Sequence, residues 1–192
     1  MSVLRRATMA TTAALVLATA TVVAPAPASA RAAAAAAPYC GITWGSLPKD
    51  GGEMRNVVLT STRTGQHPCW DRVVFDLFGL TDGFRAEYAS EVSTEGEGRP
   101  LSPITKGGAL LKFVLKSPAY DDRGNATYPH RPGDHVANVA GYRTLRDVVY
   151  GGSFEGQTTF AIGVRARLPF RVFVLGSDTG GVRIVLDIAH RW

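Results

Sequence analysis

Every-other-residue alternation of apolar side chains is the feature that most limits what this chain can become. In Arg72-Val-Val-Phe-Asp-Leu-Phe78, Val73, Phe75 and Leu77 fall on one side of an extended strand, and Arg72, Val74 and Asp76 fall on the other. A period of two puts successive side chains on opposite faces, so such a run reads as a strand with one face buried. Comparable β-branched or aromatic runs occupy residues 56–61, 84–90, 109–116, 145–150, 158–165, 170–175 and 182–189. Turn-forming clusters separate them at Gly51-Gly52, Thr81-Asp82-Gly83, 96–103 and 176–181. The pattern predicts an all-β chain, a β-sandwich of about eight mostly antiparallel strands. No window sustains a 3.6-residue apolar period. Residues 134–148 come nearest, and a single short helix is expected there at most.

One strand has an echo. Arg72-Val-Val-Phe-Asp-Leu returns as Arg183-Ile-Val-Leu-Asp-Ile 111 residues later. In each copy Arg and Asp share a face around a Val, and the large apolar residues point the other way. If the copies are antiparallel neighbours, Arg72 faces Asp187 and Asp76 faces Arg183 as cross-strand ion pairs. If they lie in opposite sheets, each Arg pairs within its own copy. In both cases Arg72, Asp76, Arg183 and Asp187 read as structural charges that fix register.

The amino terminus reads as an address. Arg5 and Arg6 precede an uncharged apolar stretch from Ala13 to Ala24, and Ala28-Ser29-Ala30 follows. A basic start, a short apolar segment and a small-x-small exit mark residues 1–30 as a secretory signal peptide, too short in its apolar part for a retained membrane span. Residues 31–38 then form an Ala-rich linker, and 39–192 the folded domain. The 192-residue chain carries a formal net charge of +5, which falls to +3 without Arg5 and Arg6. That is too little for a protein that tracks phosphates, so nucleic acid is not an expected partner. Export also bears on Cys40 and Cys69, the only two cysteines. Outside the cytoplasm they are expected to form a disulfide.

Catalytic patterns are not evident. The segment Gly151-Gly-Ser-Phe-Glu-Gly156 has Glu155 where a nucleophile elbow needs Gly. His67, His130, His135 and His190 include no HExxH pair, and no metal or cofactor is expected. The loop Asp121-Asp-Arg-Gly-Asn125 is expected to be a hydrogen-bonded Asx turn rather than a cation site, because Arg123 sits at its centre.

The strand motif of Arg183–Ile188 resembles the AMIN domain, a β-sandwich targeting module of N-acetylmuramoyl-L-alanine amidases and secretin pilus proteins. The closer resemblance is to secreted AMIN-like proteins of actinobacteria. It is carried by Trp44-Gly-Ser46, Thr64-Gly-Gln-His67, Asp71-Arg-Val-Val-Phe-Asp76, Pro118-Ala-Tyr-Asp121, Gly152-Ser-Phe-Glu-Gly-Gln-Thr-Thr159, Gly163-Val-Arg-Ala-Arg-Leu-Pro-Phe170 and Asp187-Ile-Ala-His190. The resemblance implies a non-catalytic cell-envelope module, with peptidoglycan or an envelope protein as partner.

A receptor for flat sugar faces and carboxylates needs exposed aromatic rings and Arg forks. The candidates are Arg165 and Arg167, expected on one strand face, with Arg171, Tyr120, Tyr128, Ser153, Glu155 and Gln157. Trp44, Trp70 and Trp192 are expected beside the disulfide and the core ends. Two other readings compete. One is a secreted amidase or esterase built from His190, Ser153, Glu155 or Asp187; the other is an accessory domain that regulates a wall enzyme by binding it.

Overall fold

The computed structural model describes residues 37–55, 57–79, 83–176 and 181–192. The expected signal peptide, most of the 31–38 linker, Asn56, the Thr81-Asp82 turn and residues 177–180 lie outside the described residues. Nine strands form among the described residues, one more than the alternation shows. They are β1 (Lys49–Gly51), β2 (Val58–Gln66), β3 (Trp70–Phe78), β4 (Phe84–Ala89), β5 (Ala109–Leu115), β6 (Leu145–Phe154), β7 (Gln157–Val164), β8 (Phe170–Gly176) and β9 (Gly181–Ala189). All strand pairings are antiparallel, in a five-stranded sheet ordered β1-β4-β5-β7-β6 and a four-stranded sheet ordered β2-β3-β9-β8.

The buried sides of the two sheets make the core. Val73, Phe75, Leu186 and Ile188 are fully buried from the four-stranded side, as are Leu111, Phe113, Phe160 and Ile162 from the five-stranded side. Phe75 stacks on Phe113 at 4.6 Å and tilts against Phe160 at 4.8 Å, so one ring pins both sheets. A second, smaller cluster lies on the outside of the five-stranded sheet. There Val92 and Leu101, from the loop after β4, cover Val149 and Ala161.

The single short helix allowed within 134–148 is not used, in keeping with an all-β chain. Val136 donates its N–H to the Val148 carbonyl, Tyr150 N donates to Asp134 O, and His135 bridges to Val149. The edge strand β6 thus supplies the hydrogen bonds a helix would have made internally. The only helical turn among the described residues is a short 3-10 turn at Tyr39–Gly41. No helix among the described residues is long and apolar enough to cross a membrane.

The expected disulfide is present. Cys40 and Cys69 are bonded across a separation of 29 residues, which fastens the 3-10 turn to the segment entering β3. Closing a loop of that size contributes about 3–4 kcal/mol in the chain-entropy account. Trp44 packs edge-on against Trp70 at 5.7 Å. Trp192, by contrast, is 65% exposed and donates its indole N–H to the Arg167 carbonyl.

Candidate functional site

The two copies of the repeated motif are antiparallel neighbours at the centre of the four-stranded sheet. In the β3–β9 register Arg72 faces Asp187, Val74 faces Val185 and Asp76 faces Arg183. The arrangement has local two-fold symmetry about the Val74–Val185 pair. Because alternate residues share a face, all six side chains belong to the sheet's outer surface, away from the core.

The first expected ion pair forms. Arg72 holds the fully buried Asp187 carboxylate through both oxygens, at 2.6 and 2.9 Å. Arg171, directly opposite Asp187 on β8, donates to the same carboxylate at 2.9 and 2.8 Å. The second pair differs from expectation. Arg63 on β2 takes both oxygens of Asp76 at 2.8 and 2.9 Å, and Ser61 adds a hydrogen bond at 2.7 Å. The planar guanidinium fork of Arg63 matches the carboxylate edge, so Arg183 acts on Asp76 through its charge instead. Burial pushes the Asp76 carboxyl up. The Arg63 and Ser61 hydrogen bonds and the charges of Arg63 and Arg183 outweigh that, holding it below the usual carboxylate range.

Aromatic rings complete this surface. The Arg171 guanidinium lies 4.4 Å from the Trp44 ring centre, 4.9 Å from Phe173 and 5.4 Å from Trp70. Arg72 lies 5.4 Å from Phe173, and His67 stacks on Trp70 at 5.3 Å. Each cation–π contact is worth about 0.5–2 kcal/mol depending on its exposure to water. Beside this array a hollow of about 220 Å³ is lined by Arg63, His67, Arg72 and Arg183, with Val74, Val185 and Leu175 as apolar floor. Four Arg and two Asp therefore share one sheet face with aromatic and aliphatic contact area.

The residues nominated from sequence do not gather on one surface. Arg165, Arg167 and Arg171 follow the end of β7, whereas Ser153, Glu155 and Gln157 sit at its start, roughly 25 Å away at about 3.3 Å per strand residue. Strand β7 stops at Val164, so Arg165 and Arg167 lie in the bend that crosses to the other sheet rather than on a strand face. There Arg165 donates to the His190 carbonyl, and Arg167 donates to Ser46 Oγ and O while covering the Tyr88 ring. Tyr128 is 2% exposed and packs on Tyr150 and Phe160 in the core. Ser153 Oγ is held by Gln157 O, Ala119 N and Thr158 Oγ1.

At the hairpin end, Glu155 and Gly156 both have positive φ, +47° and +78°. Positive φ at both central residues is what a two-residue type I′ hairpin requires. Tyr120 accepts the Gly156 N–H, and both border a cavity of about 530 Å³ with Glu155, Asp121 and Asp122. The expected Asx turn is in place: Asp121 Oδ1 accepts from Arg123 N and Asn125 N. No group of three or more His, Cys, Asp or Glu among the described residues is arranged to hold a metal ion.

The Ser153–His190–Asp187 constellation is not assembled. His190 is buried, and its Nε2 meets Asp71, which also accepts the Thr144 and Leu145 amides at the far end of β6 from Ser153. Asp187 is committed to Arg72 and Arg171.

Sequence reasoning missed Arg63, His67, Trp44, Trp70 and Phe173 as partners on one face. Arg63 and Gly65 alternate with Thr62 and Thr64, a period-two signal that would have extended β2 past Ser61 to Gln66.

The sequence profile of the AMIN-like domain matches residues 57–190, and the chain belongs to that family. No curated protein and no solved structure matches the chain.

Proposed function

We propose that this AMIN-like chain is an exported, non-catalytic cell-envelope module that binds a carboxylate-bearing envelope polymer through the outer face of its four-stranded sheet. Peptidoglycan is the leading partner. Residues 1–30 act as the signal peptide, residues 31–38 as a tether, and residues 39–192 as the binding domain. The family supports an envelope setting, and the Cys40–Cys69 disulfide suits an oxidising compartment.

The observation that carries the reading is the array of Arg63, Arg72, Arg171 and Arg183 set among Trp44, Trp70 and Phe173. Two Asp hold the guanidinium groups of Arg63, Arg72 and Arg171 in place, so little side-chain entropy of these three remains to be lost on binding. Arg forks grip carboxylates, and aromatic faces accept the apolar faces of sugar rings. The contacts of Arg165 and Arg167 support a different task for those two, holding the chain ends against the sandwich.

Co-sedimentation with purified insoluble peptidoglycan tests the proposal. The secreted protein is expected in the pellet at low salt and increasingly in the supernatant as salt rises, because screening weakens exposed charge contacts. Protein that stays wholly in the supernatant at low salt overturns it.

A further inference from the structure

A third cavity, on the side of the sandwich where β6 borders the five-stranded sheet, carries its own polar constellation. It encloses about 400 Å³ and is lined by Lys106, His135, Asn138, Tyr142, Arg146 and Asp147 together with the backbone between them. Asp147 is 4% exposed, and both its oxygens are occupied. Lys106 N donates to Oδ2, Val148 N donates to Oδ1, and His135 Nδ1 lies 2.8 and 2.9 Å from the two. A carboxylate accepts, so Nδ1 carries a proton and Nε2 is the ring nitrogen left for the half-exposed side.

The local backbone is built to bring these groups together. Gly163 has no side chain where a methyl group would collide with the Lys106 carbonyl, so the segment before β5 lies close against the sheet and its Lys106 N–H reaches Asp147. Arg146 is equally fixed, since its guanidinium donates to the carbonyls of Tyr142, Arg143 and Leu145. The loop is tied to β2 by Gln66, which donates to Gly141 O, and by Tyr142, which donates to Thr64 Oγ1. The wall of the cavity therefore offers an oriented ring acceptor, a rigid guanidinium and the ammonium of the exposed Lys106. Its only carboxylate is already saturated by N–H donors.

We propose that this cavity is a binding site for a small carboxylate that also bears a hydroxyl group, of the sugar-acid or hydroxy-acid class. The carboxylate is set against Lys106 and Arg146, and the hydroxyl donates to His135 Nε2. The volume falls within the range of about 300–1,000 Å³ typical of small-molecule pockets. The inference goes beyond the proposed wall contact, because it uses none of the outer-face Arg residues.

Calorimetric titration of the full secreted protein with D-glucuronate, D-glucose and acetate tests it. Glucuronate is expected to bind saturably. Glucose lacks the carboxylate and acetate lacks the hydroxyl, so each is expected to bind at least tenfold more weakly. His135→Ala is expected to weaken glucuronate binding at least tenfold with its unfolding midpoint retained. Lys106→Ala, at an exposed position, gives the same loss and keeps the test decisive if His135→Ala unsettles the fold. Arg85→Ala, at an exposed ion pair outside both proposed sites, is expected to leave the affinity unchanged. Equal binding of glucose and glucuronate, the absence of saturable binding, or undiminished affinity in both folded variants overturns the proposal.

Discussion

Asp187 on β9 is fully buried, and its carboxylate is gripped by the Arg72 guanidinium on β3 at 2.6 and 2.9 Å. The pair joins the two copies of the repeated motif and fixes the register of the central strands. Removing Asp187 leaves the partly exposed Arg72 and Arg171 guanidinium groups side by side without their shared carboxylate, a loss of about 3 kcal/mol, the lower end for buried pairs. Asp187→Ala is therefore expected to lower the urea midpoint sharply, with no change in slope while folding stays two-state. A loss under about 1 kcal/mol would contradict the structural role given to this pair.

The aromatic seam is the second test. Phe75 contacts Phe113 and Phe160 across the sandwich. Phe75→Ala opens a void where both sheets meet, and core truncations of this size cost about 3–5 kcal/mol. Phe78 on the same strand is 70% exposed, so Phe78→Ala is expected to cost far less. Thermal melts of the two variants check the contrast.

Acid and alkali should attack different groups. Asp76 sits below the usual carboxylate range when folded, so as pH falls the unfolded carboxyl takes up its proton first. Its contribution is whole above the unfolded value of about 3.9 and is lost as pH falls through the lower folded value. Asp76→Asn is expected to flatten the acid limb of the stability curve. Burial raises Tyr128 and Tyr150 to about 12, whereas unfolded tyrosine ionises near 10. Stability tied to these neutral rings is present below about pH 10 and is lost as pH rises towards 12. Tyrosinate absorbance followed against pH is expected to show Tyr128 and Tyr150, with Tyr88 also raised by burial, among late-titrating rings that ionise as the protein unfolds.

Export and the disulfide are testable together. Intact mass of the protein recovered from the medium is expected to place its first residue between Ala24 and Pro38, with no titratable thiol in the unreduced, denatured chain. Cys40→Ser with Cys69→Ser is expected to cost about 3–4 kcal/mol. A retained first thirty residues would contradict the assigned address.

Much of the fold was legible because one face of each long strand had to be buried, and that leaves a period of two in the sequence. The β3–β9 pairing was legible as one of two alternatives, since the echo puts Arg opposite Asp in an antiparallel register. Strand β1 was not, because Lys49-Asp-Gly51 has no apolar face to show. Residues 134–148 carry no helix because the hydrogen-bond partners of that segment lie on β6, which no local window contains. The proposed recognition face was hidden for a related reason. Arg63, Arg72, Arg171 and Arg183 come together only through the order β2-β3-β9-β8, and strand order leaves no spacing rule in the sequence.

The most direct measurement compares peptidoglycan co-sedimentation of the wild-type protein, an outer-face double variant and a control. Arg63→Ala with Arg183→Ala removes two guanidinium groups from the hollow on the four-stranded sheet. Arg85→Ala, at an exposed ion pair on the other sheet, is the control. The account predicts at least a tenfold loss of affinity for the double variant, wild-type affinity for the control, and folded protein in all three. Equal binding by the folded double variant and the wild type would contradict it.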